Sequence, residues 1–271
     1  MRKSLLLLAV IGTLGSQAVY AEEAATPAAA AAETPAYTLA YNVGLYSQYI
    51  FRGLTQTANK LAVQGGVDFT HSSGFYLGSW ASNVSWLEDA KVTGSSGLGY
   101  DNSSLELDLY GGYRGAIKDV SYDVGLLQYV YPGTPVTGAA RAETTEVYGS
   151  LAYKWVTAKL SVAVSDKVFA NRDAAGTYYA DITANYPLTD TITVTGHVGR
   201  QEYTGSPGGV SNDLYSYTDW KLGASKAFAN GVTVGGYYTD TNGKVGGYGP
   251  GVYTGGNIAD AQGTVYVSKT F

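Results

Sequence analysis

The feature that most constrains this fold is a two-residue alternation of apolar and polar side chains, which begins at Tyr37 and continues to the C-terminus. In the first run, Tyr37, Leu39, Tyr41 and Val43 alternate with Thr, Ala, Asn and Gly. A helix would place apolar residues three and four positions apart, whereas successive residues of a β-strand point to opposite faces. About twelve such segments of roughly ten residues follow, the length of a strand that crosses a membrane. The alternation therefore predicts an all-β fold.

The connections between these segments alternate strictly between short and long. The short ones are 71–74, 114–119, 154–156, 187–190 and 227–231. The long ones are 53–60, 87–103, 132–144, 167–177, 203–214 and 241–258. A soluble β-sandwich also has one apolar face per strand, but it has no reason for this rhythm. An outer-membrane barrel has one, because its periplasmic turns are short and its outer loops are long. We predict a single up-and-down antiparallel transmembrane β-barrel over residues 37–271, with both termini on the periplasmic side.

The first 36 residues read as an export signal followed by a linker. Arg2 and Lys3 precede an apolar stretch from Leu5 to Leu14, and small residues then lead to Ala21. A basic start, a short apolar run and an A-x-A-like site are typical of a signal peptide. The run is too short for a spanning helix, which needs about 20 residues. Residues 1–21 are predicted to be cleaved off, and the Ala- and Pro-rich residues 22–36 to form a mobile periplasmic linker.

Composition excludes several classes of protein. A formal net charge of -5 argues against a nucleic-acid binder. The absence of Cys excludes disulfides and thiolate metal sites, and no His/Asp/Glu spacing predicts another metal or cofactor site. The chain has 25 Tyr and only 6 Phe, and Tyr suits surfaces that are half apolar and half wet.

The positions of the aromatic residues predict two interfacial girdles. Those near the predicted periplasmic ends include Tyr37, Tyr41, Trp155, Tyr186 and Phe271. Those near the predicted outer ends are Tyr49, Phe51, Trp86, Tyr203 and Tyr215. Glycines within the strands have two open interpretations: they relieve crowding where the sheet bends, or they accommodate bulky Tyr neighbours.

The polar face of the strands is rich in charged residues, and it is the face predicted to line the lumen. The pore-lining candidates are Arg52, Asp68, Glu106, Asp108, Asp123, Glu146, Lys159, Asp181, His197, Asp219 and Lys221, with Lys154 and Asp260 also counted as inward. Arg52 and Asp260 lie near the predicted outer rim, so loop positions are an open alternative for both. Opposite charges in a narrow lumen can pair as struts and close it. They can also line a water-filled path that selects by sign. Carboxylates outnumber cations in this set, which favours a weak preference for cations.

One segment carries a family resemblance. Residues 47–86 read SQYIFRGLTQTANKLAVQGGVDFTHSSGFYLGSWASNVSW, and the motif Y-x-F-R-G-x-T-Q-T resembles the TorF family of exported, porin-like proteobacterial proteins. Later blocks such as LELDLYGGYRG and EVYGSLAYKW look like the same family but are generic barrel sequence. The resemblance implies an outer-membrane barrel and supports the fold more than a substrate. The chain also ends in Phe271 on the apolar face, as barrel-assembly signals do, although Lys269 departs from the usual pattern.

Three functions follow as hypotheses. The first is an outer-membrane channel for passive diffusion of small hydrophilic solutes, in contact with bilayer lipid, lipopolysaccharide and the barrel-assembly machinery. The alternative is a non-conducting structural or adhesive barrel that acts through its extracellular loops. The third is a lipid hydrolase, which needs a nucleophile beside a histidine. His71 falls in a predicted turn and the neighbours of His197 include only Thr, so the sequence favours no enzyme.

Overall fold

A computed structural model describes residues 35–90 and 98–271, and within them twelve antiparallel strands form one closed barrel. The predicted signal peptide and residues 22–34 of the predicted linker lie outside the described residues. The barrel strands are β1 (Tyr37–Tyr46), β2 (Ala62–His71), β3 (Phe75–Asn83), β4 (Leu105–Ile117), β5 (Val120–Val130), β6 (Thr144–Tyr153), β7 (Val156–Ala163), β8 (Tyr178–Pro187), β9 (Ile192–Glu202), β10 (Tyr217–Ala227), β11 (Val232–Thr241) and β12 (Gln262–Thr270). Each strand pairs with its neighbours in sequence, and β1 closes the barrel against β12. The predicted up-and-down barrel is confirmed.

The two faces of each strand have opposite chemistry, as the alternation predicts. In β4, Leu105 and Leu109 are exposed on the outer wall, whereas Glu106 and Asp108 are buried inside. The same outward exposure recurs around the barrel at Leu39, Leu45, Val63, Leu77, Val124, Leu126, Leu151, Leu160, Ile182, Val198, Leu222, Val234 and Val265. Side chains of this kind exposed to water over such an area would be unfavourable, but the hydrocarbon of a bilayer solvates them.

The two ends of the barrel differ in their connections. Tyr37, Phe271 and the turns of two to four residues between β2 and β3, β4 and β5, β6 and β7, β8 and β9, and β10 and β11 lie at one end, here called the short-turn end. All six longer connections lie at the other, the long-loop end. The predicted loop rhythm is confirmed, with one difference. Arg114 lies within β4 and not in a turn, because β4 pairs with β5 as far as Ile117.

The hydrophobic core lies at the long-loop end. Its loops carry a hairpin of Ile50–Phe51 and Leu54–Thr55, a second pairing of Tyr100–Asn102 with Thr134–Pro135, and short helices at Trp86–Asp89 and Val245–Tyr248. Their apolar side chains pack over the barrel mouth, as Leu87, Leu98, Val168 and Tyr253 show by their near-complete burial. No helix among the described residues is long and apolar enough to cross a membrane.

This core corrects the predicted outer girdle. Tyr49, Trp86 and Tyr203 are buried in the loop core and do not face outward. Their side chains pack in the core formed by the long loops. The sequence could not distinguish this packing from a membrane interface, because both place aromatic residues near strand ends. At the short-turn end, Tyr37, Tyr41, Trp155, Tyr186 and Phe271 are exposed by 44 to 66%. Their contact with lipid stays a prediction.

Inward tyrosine rings lie over glycines of neighbouring strands. A Cβ atom added to the glycine would collide with the tyrosine ring or hydroxyl at Gly78 and Tyr110, Gly112 and Tyr76, Gly125 and Tyr148, Gly199 and Tyr179, and Gly235 and Tyr266. Of the two interpretations of the strand glycines, the one that applies at these positions is that glycine leaves room for a bulky tyrosine on the neighbouring strand. The hydroxyl groups of Tyr76, Tyr110 and Tyr179 donate to carboxylates inside the barrel.

Candidate functional site

The first long loop, residues 47–61, folds inward at the mouth of the barrel. Its hairpin turns at Arg52 and Gly53, which both have positive φ angles of 47° and 82°, as the central residues of tight hairpin turns do. A Cβ atom on Gly53 would lie 2.7 Å from the Cβ atom of Asp219 in β10. Only glycine fits at this position, so the apex of the loop touches the inner wall.

Arg52 fastens that apex to the opposite wall. Its Nη1 and Nη2 atoms donate to Oε1 and Oε2 of Glu146 in β6, at 3.0 and 2.8 Å, and Nη1 also donates to Oε1 of Gln201 at 2.9 Å. The guanidinium carbon lies 4.4 Å from the ring centre of Tyr179. A planar guanidinium suits this two-point contact with a carboxylate and the contact with a ring face. The charges of Arg52 and Glu146 compensate each other.

A second carboxylate group lies beside this pair, on β4. The hydroxyl groups of Tyr49 and Tyr131 each donate to Glu106 at 2.7 Å. Burial, followed by the charge of Glu106, raises the pKa of Tyr49 and of Tyr131 well above the ordinary value, so both phenols remain donors. Asp108 is fully buried, and neither of its oxygens has a hydrogen-bond partner among the described residues. This part of the interior is closely packed.

Lower in the same half of the barrel, tyrosines bind the remaining carboxylates. Tyr76 donates to Asp123 at 2.5 Å and also contacts the hydroxyl of Tyr148. Tyr110 donates to Asp68 at 2.7 Å. The guanidinium of Arg114 lies 3.9 Å from the ring centre of Tyr76. Arg114 is an inward cation that the sequence missed, because its position was assigned to a turn.

His197 lies between two carboxylates on the other half of the barrel. Its Nδ1 atom is 2.7 Å from the hydroxyl of Thr183, and its Nε2 atom is 2.8 Å from the hydroxyl of Tyr179. Thr183 donates to Asp181, and Tyr179 donates to Asp219. The network joins β8, β9 and β10 by side chains as well as by backbone.

An internal cavity of about 110 Å³ lies between this network and the first long loop. Arg52 and Phe51 line it on the loop side, and His197, Lys159 and Lys221 line it on the wall side. The cavity is roomy enough for several waters, since one water occupies about 10–15 Å³ on this measure. A small solute could be held in this space, next to the charged side chains on its wall.

The structure therefore divides the predicted lumen residues into two groups. Glu106, Asp108, Asp123, Glu146 and Asp68 belong to the packed half, and Arg52, Lys159, Asp181, His197, Asp219 and Lys221 line the cavity. Lys154, also predicted to face inward, is exposed in a turn, so that prediction is wrong. Asp260 is exposed in a long loop, which is the alternative left open for it. Tyr49, Tyr76 and Tyr131, which bind carboxylates, were missed as site residues, although Tyr49 and Arg52 both belong to the quoted Y-x-F-R-G motif.

An apolar outer wall around a closed, charged interior defines an outer-membrane β-barrel, and the localisation predicted from the sequence agrees. The chain belongs to the Gcw_chp family, described as a bacterial protein of unknown function, whose profile matches residues 29–271. No curated protein matches the sequence.

Several solved structures share the fold. The KdgM porin is similar with a TM-score of 0.53 and 8% identity, over 86% of this chain and 99% of that one. The NanC porin gives a TM-score of 0.51 and 9% identity, over 86% and 98%. An outer-membrane channel from Pseudomonas putida F1 gives 0.51 and 12%, over 92% and 100%. At these identities the likeness establishes the fold alone.

The described residues show no group of three or more His, Asp or Glu arranged to hold a metal ion.

Proposed function

We propose that this protein is a narrow porin-like channel for passive diffusion of small hydrophilic solutes across the outer membrane. The observation that carries the proposal is the cavity of about 110 Å³, lined in part by charged side chains, inside a closed barrel with an apolar outer wall. A barrel that served only as a membrane anchor would need no polar space among charged side chains, because burying such groups is costly. The porin and channel folds of the structural neighbours, and the resemblance to the TorF family, agree with this function.

The first long loop makes the path narrow. Its apex lies in the barrel and is held by Arg52 and Glu146, while Tyr49 ties the loop to Glu106. The backbone N–H of Thr55 also donates to the carbonyl oxygen of Ile258 in the last long loop at 3.0 Å. The first long loop is therefore fixed to the other loops at this end of the barrel. Solutes pass only where the cavity is open or where this loop moves, which predicts low conductance and a small size limit.

The weak cation preference predicted from the sequence stays a prediction. It rested on a surplus of inward carboxylates, and most of these carboxylates are engaged. Glu146 is paired with Arg52, Asp123 and Asp68 accept hydrogen bonds from tyrosines, and Asp260 lies outside the lumen. Engaged charges attract mobile ions less than free ones, so the sign of the selectivity depends on the uncommitted groups in the cavity.

The alternative is a non-conducting barrel that acts through its extracellular loops. The observation that favours it is the packed half of the interior, where Tyr129, Glu106 and Asp108 are almost completely buried. Loops that pack into a core of their own also present a stable outer surface. Conduction decides between the two functions.

A lipid hydrolase has less support. Thr183 lies beside His197, but its hydroxyl also donates to Asp181. A nucleophilic hydroxyl must give its proton to the catalytic base, and here a carboxylate competes for that proton. We infer that the barrel is not an enzyme.

The membrane partners are also part of the proposal. We expect bilayer lipid and lipopolysaccharide to surround the outer wall, and the C-terminal strand ending in Phe271 to be read by the barrel-assembly machinery. Phe271 is 66% exposed at the end of that strand, where a partner can reach it.

The test is conductance of the purified, folded protein in planar bilayers, together with liposome swelling in solutes of increasing size. Ser161 is buried and lines the cavity, so Ser161→Phe should narrow the path and lower conductance. Ala158→Phe, on the outer face of the same strand, is the matched control and should leave conductance unchanged. Absence of conductance in heat-modifiable, folded protein would favour the structural barrel instead.

A further inference from the structure

Two lysines face the internal cavity without an ion-pair partner. Lys159 of β7 and Lys221 of β10 both line it. Among residues 35–90 and 98–271, neither ammonium group has a carboxylate oxygen within 4.0 Å. The Nζ atom of Lys159 lies 4.3 Å from the ring centre of Tyr148, and that of Lys221 lies 5.3 Å from the ring centre of Tyr237. A ring face attracts an ammonium group but leaves its other N–H donors available.

The other charges that line the cavity are already committed. Arg52 is neutralised by Glu146. Asp181 and Asp219 flank His197, with oxygen-to-nitrogen distances of 3.7 and 3.3 Å. Asp181 and Asp219 also line the cavity, and both are almost completely buried there.

The carboxylates beside His197 have hydrogen-bond donors of their own. Thr183 donates to Asp181, and Tyr179 donates to Asp219. The contact that each lysine makes through its ammonium group is with a ring face, which leaves its N–H donors available.

The two ammonium groups are therefore the charges on the cavity wall that have no ion-pair partner among the described residues. Arg52 is paired with Glu146, and Asp181 and Asp219 accept hydrogen bonds from hydroxyl groups. We propose that this cavity is a binding site for a small organic anion, whose carboxylate or phosphate group is held by Lys159 and Lys221. The physiological meaning of the site, selection of anionic solutes during passage, rests on the proposed channel function.

The site is tested first by binding, without any need for conduction. Thermal unfolding of the detergent-solubilised barrel is measured in low salt with increasing sodium acetate, and then with sodium phosphate. Wild-type protein should gain stability in at least one series. The double variant Lys159→Gln/Lys221→Gln should lose most of that gain. The matched control Lys118→Gln/Lys226→Gln removes the same charge from two exposed lysines and should keep it.

Reversal potentials in a potassium acetate or phosphate gradient supply the second readout. The anion-to-cation permeability ratio of the double variant Lys159→Gln/Lys221→Gln should be at least about threefold lower than that of the control variant. Equal anion stabilisation of all three proteins, or the same permeability ratio in both variants, would overturn the site. If the double variant does not reach the folded state, Lys159→Gln and Lys221→Gln are measured singly, and each should lose part of the gain. Anion binding without any conductance would keep the site and reject the channel.

Discussion

Arg52 and Glu146 are 94 positions apart in the chain, yet their side chains meet through two hydrogen bonds of 2.8 and 3.0 Å inside the barrel. The contact joins the apex of the first long loop to the wall strand β6. Both side chains are almost entirely buried, with exposures of 8 and 2%. The pair therefore holds the loop across the lumen.

Arg52→Ala should release the loop and raise the single-channel conductance. It should also lower the free energy of unfolding by about 3–5 kcal/mol, because Glu146 is left buried without its counter-charge. The measurement is planar-bilayer conductance combined with urea unfolding. Arg141→Ala removes an exposed arginine paired with Glu143 in a long loop, and should change neither quantity appreciably.

The double variant Arg52→Ala/Glu146→Gln separates the two effects. Removing the second charge should recover part of the lost stability while conductance stays high. If conductance of Arg52→Ala equals that of wild type, the Arg52–Glu146 contact does not restrict the path.

Gly199→Ala should destabilise the barrel by disturbing the His197 network. A methyl group at Gly199 would overlap the hydroxyl of Tyr179, which must then leave Asp219 and His197. Overpacking of this kind costs about 1–3 kcal/mol. Gly196→Ala, in the same strand, meets nothing within 4 Å and serves as the control. Equal unfolding curves for the two variants would show that the ring is free to move aside.

Leu222→Arg should reduce folding into bilayers far more than Val210→Arg. Leu222 is 59% exposed in the middle of β10, where the outer wall is expected to meet hydrocarbon, and Val210 is 71% exposed in a long loop. An arginine on the lipid face near the bilayer midplane costs about 2–4 kcal/mol. The folded fraction is measured by heat modifiability in lipid vesicles. Similar losses for both variants would reject the assignment of the lipid belt.

Single cysteines should reveal the orientation, since the chain has no Cys of its own. Thr137→Cys and Val210→Cys, exposed in long loops, are expected to react with an impermeant thiol reagent on whole cells. Ser73→Cys and Asp190→Cys, exposed in short turns, should react only after the outer membrane is permeabilised. The opposite labelling pattern would show that the barrel has the reverse orientation in the outer membrane. Gly74 is a poor labelling position because a side chain there would meet the carbonyl oxygen of Arg114.

Sequence alone predicted the barrel because the relevant information is local. Alternate residues of a strand face opposite sides, so Leu105 and Glu106 reveal their environments by position. Turn lengths are equally local, and they predicted which ends of the strands share one side. Apart from Arg114, the inward charged residues of β2 to β10 followed from the same alternation.

Tertiary structure decided how the interior is used. The sequence shows no relation between Arg52 and Glu146, between Tyr49 and Glu106, or between Gly199 and Tyr179, because each contact depends on strands and loops that meet only after closure. The same holds for Trp86 and Tyr203, which lie near strand ends but pack beneath the loops. Period-two alternation states which face a side chain occupies, whereas the distance between two charges is set by the closed barrel, and that distance determines which charges are paired and which remain available.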